Sequence, residues 1–71
     1  MAEEITAEEI AHHYRSAMDS VNLINEIVAS GDTDEESVDT LKRNKDHLKI
    51  MVAKDFWTTE DLKPFNDAIT A

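Results

Sequence analysis

The strongest constraint in this sequence is the spacing of its apolar side chains over a long segment without glycine or proline. From Ile10 to Val28 they recur at alternating intervals of four and three residues, which places them along one face of an α-helix. This seam consists of Ile10, Tyr14, Ala17, Val21, Ile24 and Val28. Thr6 begins a capping-box pattern before the seam, and Gly31 follows it as a helix-terminating residue. The pattern predicts a first helix over residues 7–30.

A second amphipathic segment begins only a few residues later. Thr33 opens another capping-box pattern, and the same spacing resumes from Val38 to Val52. The apolar face is expected to include Val38, Leu41, Leu48, Ile50, Met51 and Val52, with Lys45 at its rim. These features predict a second helix over residues 34–54. Because so short a connection favours an antiparallel arrangement, we expect a helical hairpin in which Val28 faces Val38.

The segment 54–65 contains the single Trp, the single Pro and both Phe residues of the chain. Thr58 is a candidate N-cap, and Trp57 stands just before it, as in a hydrophobic staple. We therefore expect a third helix over residues 59–70 that folds back on the open end of the hairpin. Pro64 should bend this helix or make its first turn 3₁₀-like. In this interpretation the aromatic side chains close a small core, and a binding site is the alternative.

Together these elements predict one all-α domain over residues 1–71. Its architecture is a long antiparallel helical hairpin with a short third helix packed back on it, a three-helix bundle. The 71 residues allow one modest core, and the absence of cysteine excludes disulfides and thiolate metal sites. The acidic N-terminal segment has no long apolar run. We therefore expect no secretory signal, no membrane association and a cytoplasmic location.

The candidate chemical groups lack the context that catalysis requires. Ser16 has no expected base or oxyanion site, and His47 has no expected nucleophile or acid beside it. Glu9 and His12 have the spacing of carboxylate-bridged di-metal bundles, but no carboxylate is expected opposite them on the second helix. The sequence thus predicts a protein that is not an enzyme, with no catalytic residue, no metal site and no cofactor.

Leu23 and Ile27 lie one helical turn apart beside the seam, where the short third helix is not expected to reach. Leaving both in water would forgo about 3 to 5 kcal/mol, which is comparable with the stability of so small a domain. We expect both to contact a protein partner, most simply a second copy in a homodimer of hairpins. The alternative is that the third helix or long side chains of the second helix shield them.

The segment Asn44–Ile69 resembles small uncharacterised proteins encoded by bacteriophages of aquatic bacteria. The similar parts are His47–Leu48, Lys54–Asp61 and Pro64–Ile69. The resemblance implies a phage accessory or virion-assembly component, acting in the host cytoplasm or in the virion, and it transfers no residue role. It also makes Phe56 and Trp57 candidates for an exposed anchor on a partner, because aromatic side chains often dominate such contacts.

The net charge of −9 opposes direct binding of nucleic acid. Acidic residues gather at the starts of the first two helices, whereas residues 40–54 carry five of the seven Lys and Arg residues. The sequence therefore favours a non-enzymatic protein–protein interaction or assembly module that self-associates. The alternative is a small acidic inhibitor that imitates nucleic acid and binds a basic host enzyme.

Overall fold

Three α-helices make up most of the protein in a computed structural model that describes residues 5–71. The helices are α1 (Ala7–Ser30), α2 (Glu35–Val52) and α3 (Thr59–Thr70). Each helix packs against both of the others, and the described residues contain no strand. The all-α three-helix fold expected from the sequence is therefore confirmed.

The end of α1 is set by Gly31. This residue has a φ of 66°, in the left-handed region that glycine enters without steric cost, and its N–H donates to the carbonyl of Val28 at 3.2 Å. The hydroxyl of Ser30 donates to the carbonyl of Ile27 at 2.8 Å. The chain then reverses within four residues, so α1 and α2 form the expected antiparallel hairpin. We call the end that contains Gly31 the tip, and the other the open end.

The start of α2 differs from the sequence prediction. The N-cap is Asp34 rather than Thr33, and its side chain makes no capping hydrogen bond. The carboxylate of Asp32 instead accepts the N–H of Asp34 and the hydroxyl of Ser37, both at 2.9 Å. Because Asp32 already orders the turn, the helix begins at Glu35 without a hydrogen bond to the side chain of its N-cap residue, Asp34. It ends at Val52 rather than near residue 54.

The core lies where α3 packs against the hairpin. Its buried apolar residues are Ala17, Val21, Ile24, Leu48, Met51, Trp57, Phe65 and Ala68. Ile50, which was expected to widen the apolar face of α2, is 66% exposed. It follows the fully buried Leu48 by two residues, which is about 200° around the helix. Met51, three residues after Leu48, is buried instead.

The helix α3 begins with a complete capping box. The hydroxyl of Thr58 accepts the N–H of Asp61 at 3.1 Å, and the Asp61 carboxylate accepts the N–H of Thr58 at 3.3 Å. The helix is α-helical from Thr59 onward with Pro64 inside it, so of the two expected effects of Pro64, a bend or a 3₁₀-like first turn, the second is not formed. Pro64 has no N–H for the carbonyl of Glu60, which is an exposed residue and open to water.

The position of α3 along the hairpin follows from contacts at its two ends. Near its start, the Tyr14 ring lies 6.4 Å from the Trp57 ring and 5.9 Å from the Phe65 ring, measured between centroids. At its end, the Lys45 ammonium donates to the main-chain carbonyl of Ala71 at 2.6 Å. The helix therefore runs from the open end to the level of Lys45, and the molecule is elongated, at 46 × 20 × 17 Å.

Candidate interaction surface

Two lines of side chains form the walls of the groove in which α3 lies. Residues seven apart lie along nearly the same line of a helix. The lines are Tyr14, Val21 and Val28 on α1, and Val52, Lys45 and Val38 on α2. The helix α3 fills this groove up to Lys45 and leaves the part beyond it uncovered. We call this uncovered part, bordered by Val28 and Val38, the open groove.

The open groove results from the difference in helix length. The 24 residues of α1 span about 36 Å, whereas the 12 residues of α3 span about 18 Å. The stretch 35–44 of α2 lies beyond the end of α3 and corresponds to about 15 Å of groove. Of the two valines that border the open groove, Val28 is 48% exposed and Val38 is 51% exposed.

Val28 and Val38 correct a detail of the sequence prediction, which paired them as covered ends of the hairpin seam. Each valine keeps about half of its surface in water. The physical reason is that a contact between two helices covers only one side of each, so a third element is needed to enclose side chains at the margin. These two residues were missed as surface candidates. The signal that could have found them is their distance along the seam from the expected end of α3.

Leu23 and Ile27 lie on the other flank of α1. The hydroxyl of Ser16 lies 3.2 Å from Nε2 of His47 on α2, so Ser16 belongs to the side of α1 that borders α2 away from α3. Leu23 follows Ser16 by seven residues and therefore lies on the same side of α1. Leu23 is 42% exposed, as a residue without a partner in the hairpin should be. Ile27, expected to be equally uncovered, is half-buried. The tip half of the hairpin thus carries partly exposed apolar side chains on both flanks.

The surface of α2 beside the open groove carries an ordered set of charges. A shallow depression on the exposed side of α2, next to Val38, is lined by Glu35, Glu36, Val38, Asp39 and Lys42. Asp39 and Arg43 form an exposed ion pair of 2.9 Å, which is the only one among residues 5–71. Neither Glu35 nor Lys42 is therefore engaged with an opposite charge in the described part of the chain, although both border the same apolar side chain.

The structure favours the ionised form of the Asp32 carboxylate at the tip. The hydrogen bond from the backbone N–H of Asp34, followed by that from the Ser37 hydroxyl, holds the pKa of Asp32 below its ordinary value of 3.8. Asp32 is fully exposed, so its role is local. It keeps the turn ordered and the tip acidic.

Phe56 and Trp57 lie at the opposite end of the molecule from the open groove. The Trp57 side chain is 9% exposed, and its indole N–H donates to the carbonyl of Met51 at 2.7 Å. Trp57 thus packs between α2 and α3 and does not present the exposed anchor that the sequence suggested. Phe56 is half-buried and stacks on His13, with ring centroids 5.7 Å apart. The geometry favours the core-closing interpretation of the aromatic cluster.

One pair of chemical groups comes together that sequence reasoning kept apart. Ser16 and His47 were each expected to lack a partner, yet their side chains are within hydrogen-bond distance at 3.2 Å. Both are half-buried, and the pair joins α1 to α2. Glu9 and His12 are both exposed. Within the described residues no cluster of three or more His, Cys, Asp or Glu could hold a metal ion.

Comparison of the chain with protein-family models, with curated proteins and with solved structures found no match. Among residues 5–71, no helix combines the length and the apolar character needed to cross a membrane.

Proposed function

We propose that this protein is a non-enzymatic assembly module that associates with a second copy of itself through the tip half of its hairpin. The observation that carries the proposal is the uncovered tip, where Leu23, Val28 and Val38 are each 42 to 51% exposed. Complete burial of such a side chain is worth about 1.5 to 3 kcal/mol. For a chain of 71 residues, covering these side chains adds an amount comparable with the stability of the domain itself.

The biological setting belongs to the same proposal. The resemblance of the C-terminal third to phage-encoded proteins supports a phage accessory or virion component that acts in the host cytoplasm or in the virion. The second candidate, an acidic inhibitor of a basic host enzyme, has less support from the geometry. Its carboxylates would have to follow one face, whereas Asp32 and Glu35 are at the tip and Glu8 and Glu9 are at the open end.

Molar mass in solution tests the proposal. Light scattering over a hundredfold concentration range, at two salt concentrations, should show a concentration-dependent dimer that persists at high salt, because apolar burial drives the association. Introducing one charge into the tip half, as in Leu23→Asp or Val38→Asp, identifies the contacting flank. The matched control is Ile50→Asp, which places the same charge on an exposed apolar position of α2 outside the open groove.

A wild-type chain that remains monomeric at every concentration would contradict self-association. In that case, capture of a basic protein in a complex that dissociates at moderate salt would support the inhibitor function instead.

A further inference from the structure

The α2 side chains beside the open groove have the order needed to pair with a second copy. On the exposed side of α2 next to Val38, Glu35, Val38 and Lys42 follow one another at intervals of three and four residues. An acid, an apolar side chain and a base therefore form one row on the helix surface, and all three line the same depression. We propose that two copies pair through this row, in antiparallel orientation, around a two-fold axis beside Val38. The inference rests on the proposed self-association and specifies its surface.

The charges of the row select this orientation. With the axis beside Val38, Glu35 of each copy faces Lys42 of the other, and the two Val38 side chains meet at the centre. A parallel pair would place Glu35 against Glu35 and Lys42 against Lys42. Like charges that oppose each other across an interface disfavour such an arrangement. The row is thus complementary to itself in one orientation only.

The position of α3 is compatible with the antiparallel orientation. In each copy α3 fills the groove as far as Lys45, where the ammonium reaches the Ala71 carbonyl. An antiparallel pair places each α3 at the tip of the other copy. Gly31 and Lys45 are each seven residues from Val38, on opposite sides of it. With the axis beside Val38, the Gly31 turn of the second copy therefore lies about level with Lys45 of the first. This position is just past the end of α3.

The same register brings the acidic turn of each copy to basic side chains of the other. Asp32 and Asp34 of the second copy approach the level of Lys45 and Lys42. Each copy contributes about three helical turns of groove, so the interface belongs to the small class, below about 1,200 Å², for which weak association is usual. We expect a dissociation constant in the micromolar range, with the charges setting orientation more than affinity.

A symmetric charge exchange tests the inference. Glu35→Lys and Lys42→Glu, each alone, should raise the dimer dissociation constant about tenfold or more, because each opposes like charges twice across the axis. The double variant should return to within about threefold of the wild type, because both pairs are restored with their signs exchanged. An equimolar mixture of the two single variants should form heterodimers in preference to either homodimer. Lys63→Glu, the same charge change on the exposed surface of α3, is the matched control and should leave dimerisation unchanged.

The outcomes separate this inference from the proposed function. If the wild type dimerises but the double variant is no tighter than the single variants, the antiparallel row is wrong and self-association stands. If Leu23→Asp gives monomers and Val38→Asp does not, the flank away from α3 forms the contact, and the inference is again overturned. If the wild type is monomeric at about 1 mM, far above the expected micromolar range, both proposals fail. Far-UV circular dichroism of each variant verifies that the helices remain folded.

Discussion

The indole N–H of Trp57 donates a 2.7 Å hydrogen bond to the main-chain carbonyl of Met51, in the last turn of α2. Carbonyls in the last turn of a helix have no partner within that helix. The N–H of Lys54 reaches the same carbonyl at 3.1 Å. Trp57 therefore joins the end of α2 to the start of α3 by a polar contact as well as by apolar burial.

Replacing Trp57 tests this joint. Trp57→Phe should cost about 1 to 2 kcal/mol, because it removes a buried hydrogen bond while keeping most of the apolar volume. Trp57→Ala should cost about 3 to 5 kcal/mol, a large share of the stability expected of so small a domain. Urea unfolding followed by far-UV circular dichroism measures both changes. Phe56→Leu, at a half-buried position, should cost less than about 1.5 kcal/mol, and a similar or larger loss there than for Trp57→Ala would contradict the assignment.

The two threonines that the sequence marks as N-caps should respond differently to substitution. Thr58→Ala should cost about 1 kcal/mol, because its hydroxyl accepts the N–H of Asp61 in a complete capping box. Thr33→Ala should cost less than about 0.5 kcal/mol, because Thr33 is exposed and α2 begins one residue after Asp34. Thermal unfolding of the two variants side by side provides the comparison. Equal losses would mean that Thr33 caps α2 after all.

The backbone preference of the new residue alone should determine how much a substitution at Gly31 destabilises the fold. A Cβ built on Gly31 has no atom within 4 Å, so steric contact does not oppose a side chain there. The φ of 66° does. Gly31→Ala should therefore cost about 1 to 2 kcal/mol, and Gly31→Asn less, because asparagine enters the left-handed region more readily. Denaturant unfolding tests this order, and an alanine variant as stable as the asparagine variant would contradict it.

The ionisation of Asp32 should link stability to acidic pH. Its pKa is lower in the folded chain than its ordinary value of 3.8, so the unfolded chain binds the proton more readily. The stabilisation from this carboxylate is fully present above pH 3.8 and is lost as pH falls through the depressed folded-state pKa. A ¹³C chemical-shift titration of the side-chain carboxyl should place its midpoint below 3.8. Asp32→Asn should reduce the fall in melting temperature between neutral and acidic pH, and an unchanged fall would contradict the link.

Local sequence signals predicted the helices because each signal acts within a few residues. The apolar spacing of α1, the Thr58 N-cap and the stop at Gly31 depend on neighbours three or four positions away, and all appear in the structure. Thr33 was misread because the competing Asp32 offers the turn two hydrogen bonds, and a capping pattern cannot rank the two.

The features that sequence reasoning missed depend on how the helices are placed against one another. The Ser16–His47 contact requires the relative rotation of α1 and α2. The exposure of Val28 and Val38 requires the level at which α3 ends, which the contact between Lys45 and Ala71 reveals. Apolar spacing shows which face of a helix is apolar, but it does not show which other element covers each part of that face. The candidate surface could therefore be predicted as a region, the turn end of the hairpin, and not as a set of residues.

The difference in length between α1 and α3 divides each long helix into two parts of unequal local stability. In the monomer, amide protons of α1 near Ala17 and Val21 should exchange with solvent only through near-global unfolding, because the core encloses them. Those near Val28 can exchange through opening of the tip alone, while the α3-covered half stays folded. Hydrogen exchange along this one helix would therefore report assembly directly, because pairing of two tips removes the local opening. The same 24-residue helix would then protect its amides evenly from one half to the other.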